Sequence, residues 1–318
     1  MPRHPTPLPD PLLETSFSLI RSDQLDVSRK RTLGRDLMAP SRGLRLPTGP
    51  DLPASALLRG YSELDERLVL VDYSAAEIWN APLPLWPPRD GEVRLARPRG
   101  DSKPRRKQVG GRKLSFAAGE VLMHDGVRVT SPARTFLDLA EFLQLEDLVA
   151  AGDHLVNAHD EHHPRPRQAL CTVAELRRTV VAHPGKRGVR TARLALDLVR
   201  VGADSAQETF LRLTLAEHGL PDPVLNHSLS LPWRGRCVWP DVAYPDWKLS
   251  LQYDGAVHDG QSQYVRDFER QRLTEEAGWT EVRIGKGDLK GRRPFAVVRV
   301  REALAKAGWP GSGTRENS

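Results

Sequence analysis

The sequence is 318 residues long, which allows two or three domains, because a single hydrophobic core rarely grows beyond about 100–200 residues. Lys and Arg total 47 against 41 Asp and Glu, and the resulting formal charge of +6 favours an anionic partner such as nucleic acid. The two cysteines, Cys171 and Cys237, exclude a disulfide framework and do not form the pairs of a structural zinc site.

No stretch of the chain predicts a membrane segment. The N-terminus lacks the apolar core of a signal peptide, and no apolar run approaches the ~18 residues that span a bilayer. We therefore expect a cytoplasmic protein that has no membrane partner.

The N-terminal part predicts a disordered arm followed by a small helical module. Residues 1–10 are rich in proline, which joins neither a helix interior nor a central strand. In residues 11–50, two short helical patterns precede an extended turn with Arg and Gly, which indicates a winged-helix-like module that binds DNA. Ser28 would cap the second helix and leave Arg31 and Arg35 on its DNA-facing side. A small helical docking module explains the pattern equally well.

Residues 51–157 mix helical and strand patterns and therefore predict a small α+β domain. Nine of the twenty residues from Arg94 to Lys113 are Lys or Arg, and only Asp101 among them is acidic. Proline and glycine interrupt this segment. We expect a mobile basic loop that contacts phosphate or is merely solvated.

Residues 158–200 predict a linker followed by helices. Two prolines break the helical pattern in the sequence HDEHHPRPRQ, which begins at His159. Its three histidines are metal-binding residue types, with Asp160 and Glu161 beside them, but a linker offers no ordered scaffold for an ion.

The segment 201–310 begins with a helix that Ser205 caps, and Glu208 stands three residues on, the spacing of a capping box. Three short strands follow, with Asp241 on the second and Gln252 to Asp254 at the end of the third. An amphipathic helix and another apolar strand complete the segment. Residues 311–318 predict a disordered tail.

Adjacent strands would bring Asp241 and the end of the third strand together at one edge of the sheet. Carboxylate and carbonyl oxygens are the ligands that Mg²⁺ or Mn²⁺ prefers, and such an ion offsets charge on a scissile phosphate and helps ionise a water. Glu208, Asp241 and Asp254 supply such oxygens, and His258 follows closely. Each of these residues also has a structural explanation, as a helix cap, a strand end, a turn or a loop histidine.

The helix that follows carries Arg266 and Arg270, which are four residues apart and therefore share a face. We predict that these side chains bind nucleic-acid phosphate or pair with the acidic site. Solvated helix charge is the alternative explanation.

Several spaced motifs of this segment together resemble a known family. They are a helix Glu, the pair PD, the string KLSLQYDGAVH, and RDFERQRLTEEAGW before an apolar strand. Over roughly residues 200–309 the chain is similar to a bacterial domain family of unknown function related to the very short patch repair endonuclease. This resemblance to the PD-(D/E)xK nuclease superfamily implies a C-terminal restriction-endonuclease-like mixed sheet flanked by helices, with Mg²⁺ at the strand ends.

The resemblance also implies a role for each matching residue. Asp241 and the backbone carbonyl of Tyr253 would hold the metal, and Glu208 would bind it through a water. Asp254 and His258 would handle the attacking water or the leaving oxygen.

Gln252 departs from the family pattern, because many relatives have Glu at this position. A neutral amide is a weaker cation ligand than a carboxylate, although Gln252 keeps its place among the catalytic candidates. The lysine that the wider superfamily has two residues later is Asp254 here. The sequence therefore predicts a nuclease-type fold more firmly than it predicts cleavage.

The upstream sequence resembles a second family. The helix pattern SAAEIWN, the basic loop and VTSPARTFLDLA are similar to the AbiEi family of type IV antitoxins, within about residues 10–155. This resemblance implies a toxin partner or a homodimer.

The whole chain thus predicts an α/β and α+β protein that binds double-stranded DNA. One hypothesis is a Mg²⁺-dependent endonuclease of repair or mobile-element defence. The alternative is an antitoxin-like DNA-binding regulator whose nuclease-like domain is catalytically weakened. A third is a protein whose basic surface contacts another protein.

Overall fold

The computed structural model describes residues 5–49, 51–84, 92–254 and 260–311, with only the backbone given for residues 260–267. Helices and sheets occur together throughout, which confirms the predicted α/β and α+β class. Within these described ranges, no helix has the length and apolar character that crossing a bilayer requires.

The chain divides into two compact units. The first unit comprises Met1–Leu143 and Ala174–Arg193, and the second comprises Gln144–Val173 and Leu194–Ser318. Each unit has its own sheets and its own buried residues.

The first unit contains an antiparallel sheet and a mixed sheet. The antiparallel sheet is formed by β1 (Phe17–Ser18), β2 (Leu37–Met38) and β3 (Leu44–Pro47), in the order β1-β3-β2. The mixed sheet is formed by β4 (Val69–Leu70), β5 (Val93–Pro98), β6 (Val109–Leu114), β7 (Val121–His124) and β8 (Val127–Thr130). Its strand order is β6-β5-β4-β8-β7, with the parallel pairs β5-β6 and β4-β8. The helices of this part are α1 (Leu19–Gln24), α2 (Ala54–Glu63), α3 (Asp72–Ile78) and α4 (Pro132–Leu139).

The N-terminal module differs from its prediction in one element. Where the sequence predicts a second α-helix after Ser28, the structure has a single 3₁₀ turn at Arg31–Leu33. Gly34 ends this turn in an extended backbone conformation, and the chain then enters β2, which pairs with β3. Leu33, which a helix would have turned toward the core, keeps 69% of its surface exposed. The prediction of a second α-helix with a DNA-facing side was therefore wrong.

A buried arginine ties α4 to the mixed sheet of the first unit. Ser131 and Pro132 begin the helix, since the Ser131 hydroxyl accepts the N–H of Arg134. The guanidinium of Arg134 donates to Asp138 Oδ1 at 3.0 Å and to Glu120 Oε2 at 2.5 Å, and its side chain is only 2% exposed. A cation thus lies between two buried carboxyl groups, and its charge offsets the cost of removing them from water.

The second unit begins with α5 (Leu145–Val156). In sequence, α6 (Val173–Ala182) follows and lies in the first unit except for Val173, and α7 (Val189–Leu198) begins in the first unit and ends in the second. The remaining helices of the second unit are α8 (Ala206–Glu217), α9 (Gly260–Glu276) and α10 (Phe295–Lys306).

Six strands of the second unit form a mixed sheet and a separate hairpin. They are β9 (Val224–Leu225), β10 (Leu229–Leu231), β11 (Arg236–Val238), β12 (Val242–Tyr244), β13 (Leu249–Asp254) and β14 (Thr280–Gly285). The sheet has the order β14-β13-β12-β9, with β13 and β14 parallel, and β10 pairs with β11. Buried side chains of α8 and α10, among them Leu211, Leu215 and Val300, pack against Val242 and Leu251 of the sheet. Apolar residues at helical spacing on α8 therefore face the strands that carry the candidate site.

Replacing Arg134 by Met should destabilise the first unit by about 3 kcal/mol, because Glu120 and Asp138 would lose the cation between them and keep only His183 and Lys186, respectively, as basic partners. Hydrogen-exchange protection of the α4 and β8 amides should then fall about 100-fold, with the amides of the second unit as the internal reference. Arg178→Met is the matched control, since the Arg178 side chain is 74% exposed and its loss should cost less than about 1 kcal/mol. Equal protection in the two variants would contradict the role given to Arg134.

Candidate functional site

The candidate site is a cavity of about 270 Å³ in the second unit, which we call the carboxylate pocket. It lies beside the first turn of α8, the start of β12 and the side of α9. The ionisable residues that line it are His159, His163, Arg165, Asp204, Glu208, Arg236, Asp241, Glu269 and Arg270. Acidic, basic and imidazole side chains thus converge on one open cavity.

Asp241 lies immediately before β12 and opposite the end of β13. The antiparallel register pairs Val242 with Leu251, and it therefore brings Asp241 next to Gln252. Oδ2 of Asp241 accepts hydrogen bonds from Gln252 Nε2 at 2.6 Å and from the Tyr253 N–H at 2.7 Å. Burial raises the pKa of Asp241 to about 6, although these bonds and the charge of Arg270 favour its ionised form.

Glu208 occupies the first turn of α8 and closes a variant of the capping box, in which its carboxyl accepts the N–H of Asp204 instead of that of the N-cap residue Ser205. The Ser205 hydroxyl accepts the Glu208 N–H, and the Glu208 carboxyl accepts the Ser205 hydroxyl and the Asp204 N–H, both at 2.8 Å. Burial and the nearby charge of Asp241 raise the pKa of Glu208 to about 8. At neutral pH this carboxyl is therefore mostly protonated, and only part of the formal negative charge of the pocket is present.

Gln252 donates toward Asp241 rather than offering an oxygen to a cation. Its Nε2 donates a hydrogen bond to Oδ2 of Asp241, and its Oε1 is buried without a hydrogen-bond partner among the described residues. A Mg²⁺ ion at Asp241 would have to displace this amide or bind through the other carboxylate oxygen alone. Because Glu208 is held in the capping box, the donors as arranged fit a hard divalent cation poorly.

The other residues that the sequence singled out in this segment are only partly described. Asp254 ends β13 as an exposed residue opposite Gly285 of β14. His258 and the side chain of Arg266 lie outside the described residues. Arg270 does line the carboxylate pocket, where its Nε lies 3.6 Å from Glu281 Oε2. Its predicted contact with nucleic acid stays a prediction.

The two arginines predicted to contact DNA in the N-terminal module have different environments. Arg31 donates to both carboxylate oxygens of Asp36, at 3.0 and 2.6 Å, and its side chain is only 9% exposed. Arg35 is exposed. Contact between Arg31 and DNA would require the loss of a bidentate ion pair, whereas Arg35 could contact phosphate without such a loss.

Three residues of the carboxylate pocket, His159, His163 and Asp204, are not among the predicted site residues. The sequence around the histidine run predicts a linker, and no sequence pattern singles out Asp204. The segment predicted to be a linker is folded back on itself, because His159 and Arg167 exchange backbone hydrogen bonds and Asp160 Oδ1 accepts the N–H of His163. Both histidines are 8% exposed, and Nε2 of His159 bonds to Oδ1 of Asp204. The run of histidines was the only local signal, because Asp204 lies 45 residues from His159.

Asp204 is held as an anion among these histidines. Burial opposes its ionisation, but hydrogen bonds from His159 and Asn157 and the charge of Arg165 hold its pKa below the ordinary value. Asn157 Nδ2 donates to Oδ1 at 2.9 Å, and Arg165 Nη2 donates to Oδ2 at 2.9 Å. Asp204 thus adds a firmly charged carboxylate to Glu208 and Asp241, whose pKa is raised.

Residues 82–183 match the model of the AbiEi antitoxin C-terminal domain. The match includes the basic segment between β5 and β6, and it ends before Asp204, Glu208 and Asp241. It supports the similarity to AbiEi antitoxins in the middle of the chain. The similarity to the very short patch repair endonuclease gains no support from it.

Two uncharacterized proteins of Mycobacterium tuberculosis, one from strain CDC 1551 / Oshkosh and one from strain ATCC 25618 / H37Rv, are each 29% identical to the chain over 184 residues. The aligned part covers 57% of this chain and 64% of each relative. The chain therefore spans less than two thirds of the length of these relatives. No solved structure matches the chain at a significant level.

Glu208→Gln should make the second unit less sensitive to pH. In wild type, Glu208 holds its proton up to about pH 8 when folded but only to its ordinary pKa of 4.5 when unfolded, so stability falls as pH rises between these values. The amide introduced by the substitution cannot ionise, and its oxygen can still accept the Asp204 N–H. We expect the variant to exceed wild type in stability by about 2 kcal/mol at pH 8.5 and to equal it near pH 4.

Urea unfolding across this pH range measures the effect. Glu217→Gln, at the exposed end of the same helix, is the control and should keep the wild-type pH profile. Asp241 and Asp204 face the same pocket. Glu217→Gln leaves their environment unchanged, whereas Glu208→Gln also removes the charge that Glu208 exerts on Asp241, which lowers the pH sensitivity further in the same direction. Identical pH profiles for Glu208→Gln and wild type would show that the pKa of Glu208 is not raised in the folded protein.

Proposed function

We propose that this protein is an antitoxin-type regulator that binds double-stranded DNA and acts with a toxin partner or as a homodimer. The match of residues 82–183 to the AbiEi antitoxin C-terminal domain carries the proposal. The second unit would then use a nuclease-like pocket that is catalytically weakened. Binding to the bacterial chromosome agrees with the cytoplasmic location that the sequence predicts.

An exposed basic segment within the matched region supports contact with DNA. It connects β5 to β6 and continues along β6, and it carries five exposed cations, Arg99, Lys103, Arg105, Lys107 and Lys113. None of these five forms an ion pair with another described residue. Neighbouring cations are neutralised instead, since Arg97 binds Asp65 and Arg67 binds Asp101. Unpaired cations on one segment are available to replace the counterions of a phosphate backbone.

The Asp241 environment supports a second candidate, a Mg²⁺- or Mn²⁺-dependent DNA endonuclease. Two carboxyl groups with raised pKa values, Glu208 and Asp241, influence each other in one pocket next to the end of a strand. Perturbed acids in a cleft are common at catalytic sites. The hydrogen bond from the Gln252 amide to Asp241 disfavours cation binding there. We therefore prefer the DNA-binding regulator to the endonuclease.

Replacing Lys103, Arg105 and Lys107 together by Ala should weaken binding to a DNA duplex at least ~10-fold at low salt. The slope of log K against log salt should become shallower by about 2–3, because up to three phosphate contacts are lost. Fluorescence anisotropy with a labelled duplex measures both quantities. Arg177, Arg178 and Arg190 changed together to Ala is the control, since these residues are also exposed and carry the same charge.

The proposed DNA surface is wrong if the two triple variants lose affinity equally. The absence of salt-dependent binding in wild type would instead favour a protein partner for the basic surface.

Gln252→Glu separates the two candidate functions. A carboxylate at this position would lie against Asp241 and complete an anionic pair, so affinity for Mn²⁺ should rise at least ~10-fold. If the site is a weakened nuclease centre, plasmid nicking in Mg²⁺ or Mn²⁺ should rise with it, and Asp241→Ala should abolish nicking. Gln207→Glu, an exposed position on α8, is the control for added charge.

A regulator gives a different result in these assays. Its DNA binding survives Asp241→Ala, and no variant nicks in either metal. If Gln252→Glu changes neither Mn²⁺ affinity nor nicking, position 252 is not a ligand position and the endonuclease candidate fails.

A further inference from the structure

Two histidines and an aspartate form a compact cluster on one wall of the carboxylate pocket. One ring nitrogen of His159, one of His163 and one oxygen of Asp204 all lie within 4.8 Å of one another. The two imidazole rings are stacked, with centroids 3.9 Å apart and planes inclined by 15°. The stacked rings therefore lie in van der Waals contact, and each has one nitrogen close to the same carboxylate.

The cluster is built on an ordered and largely buried scaffold. The side chain of His159 is only 2% exposed, and the β-bridge to Arg167 fixes its backbone. The ring of His163 packs edge-on against Trp239, and its Nδ1 lies 3.1 Å from the Arg165 carbonyl oxygen, to which it donates in the tautomer that binds a metal through the other nitrogen. That bond leaves Nε2 of His163 as the nitrogen available to a ligand.

Unsatisfied polar atoms remain in this scaffold. Nδ1 of His159 and Oδ1 of Asn157 are both buried, and neither has a hydrogen-bond partner among the described residues. Buried polar atoms are nearly always satisfied in folded proteins, so these two atoms, which face away from Asp204 Oδ1, indicate room for an ordered water in the shell around the cluster. Asn157 also donates to Asp204, as the outer partner of a ligating carboxylate does.

The donor types select the kind of ion. Imidazole nitrogen suits Zn²⁺ and its transition-metal neighbours, whereas Mg²⁺ prefers oxygen. Four-coordinate Zn²⁺ with bonds of about 2.0–2.1 Å requires ligand atoms roughly 3.3 Å apart, so the cluster has to contract by at most about 1.5 Å. Arg165, which now donates to Oδ2 of Asp204, is 78% exposed at its side chain and can turn into solvent.

We propose that His159, His163 and Asp204 bind one divalent transition-metal ion of the Zn²⁺ type. The ion takes the place of the proton that His159 Nε2 shares with Asp204, and three protein ligands leave a fourth position open to the carboxylate pocket. This site differs from the Asp241 site in its ligands and in its metal preference. It does not depend on whether the protein binds or cuts DNA.

Titration of the full chain with Zn²⁺, and with Co²⁺ as a spectroscopic probe, tests the proposal. We expect one ion per chain, the visible absorption of four-coordinate Co²⁺, and no competition from excess Mg²⁺. His163→Gln and Asp204→Asn should each lower Zn²⁺ affinity at least ~10-fold. His162→Ala, in the same histidine run but 80% exposed at its side chain, is the matched control and should bind as wild type does.

A second measurement uses the wild-type protein alone, in case a variant fails to fold. Paramagnetic Co²⁺ should broaden the ring NMR signals of His159 and His163 at one equivalent and leave the signals of His218 and other distant histidines sharp. The proposal is overturned if binding is not stoichiometric, if His163→Gln and Asp204→Asn bind as tightly as wild type, or if Co²⁺ broadens other histidines first.

Discussion

A buried ion pair between Asp153 of α5 and Arg212 of α8 holds the second unit in the arrangement on which its pocket depends. Arg212 Nη2 donates to Asp153 Oδ2 at 2.9 Å, and both side chains are at most 2% exposed. Asp153 also accepts the Thr209 hydroxyl at 2.8 Å and the Arg200 N–H at 2.7 Å. One carboxylate therefore ties together α5, the chain after α7 and the first half of α8. Such a pair stabilises the unit because additional hydrogen bonds satisfy the carboxylate that it buries.

The position of the pocket residues follows from that anchor. With α8 held, its capping box directs Glu208 back to Ser205 and fixes the backbone of Asp204. Asp241 reaches the same space from the start of β12, where the register of the sheet places it against Gln252. The pocket thus contains acids of different character. Asp204 is stabilised as an anion, while burial favours the protonated forms of Glu208 and Asp241.

The side chains of the two units support a DNA-binding regulator better than they support a nuclease. The matched residues 82–183 include a segment of exposed and unpaired cations, which is what binding to a polyanion requires. In the carboxylate pocket, by contrast, the residues that would hold a hard cation are engaged with protein donors. The neutral amide of Gln252 occupies a carboxylate oxygen of Asp241 that a hard cation would need.

The local sequence pattern was sufficient to predict several features of the structure. Spacing and alternation predicted the Ser205–Glu208 capping box, the adjacency of Asp241 and Gln252, and the mixed α and β composition. The hydrogen bonds involved link near neighbours in sequence or residues on adjacent strands. The predicted helix after Ser28 was wrong because pairing between β2 and β3 outweighed a weak helical pattern that Gly34 interrupts. Only the tertiary structure brought His159 and His163 to Asp204, since no periodicity in a sequence reports contacts between residues so far apart.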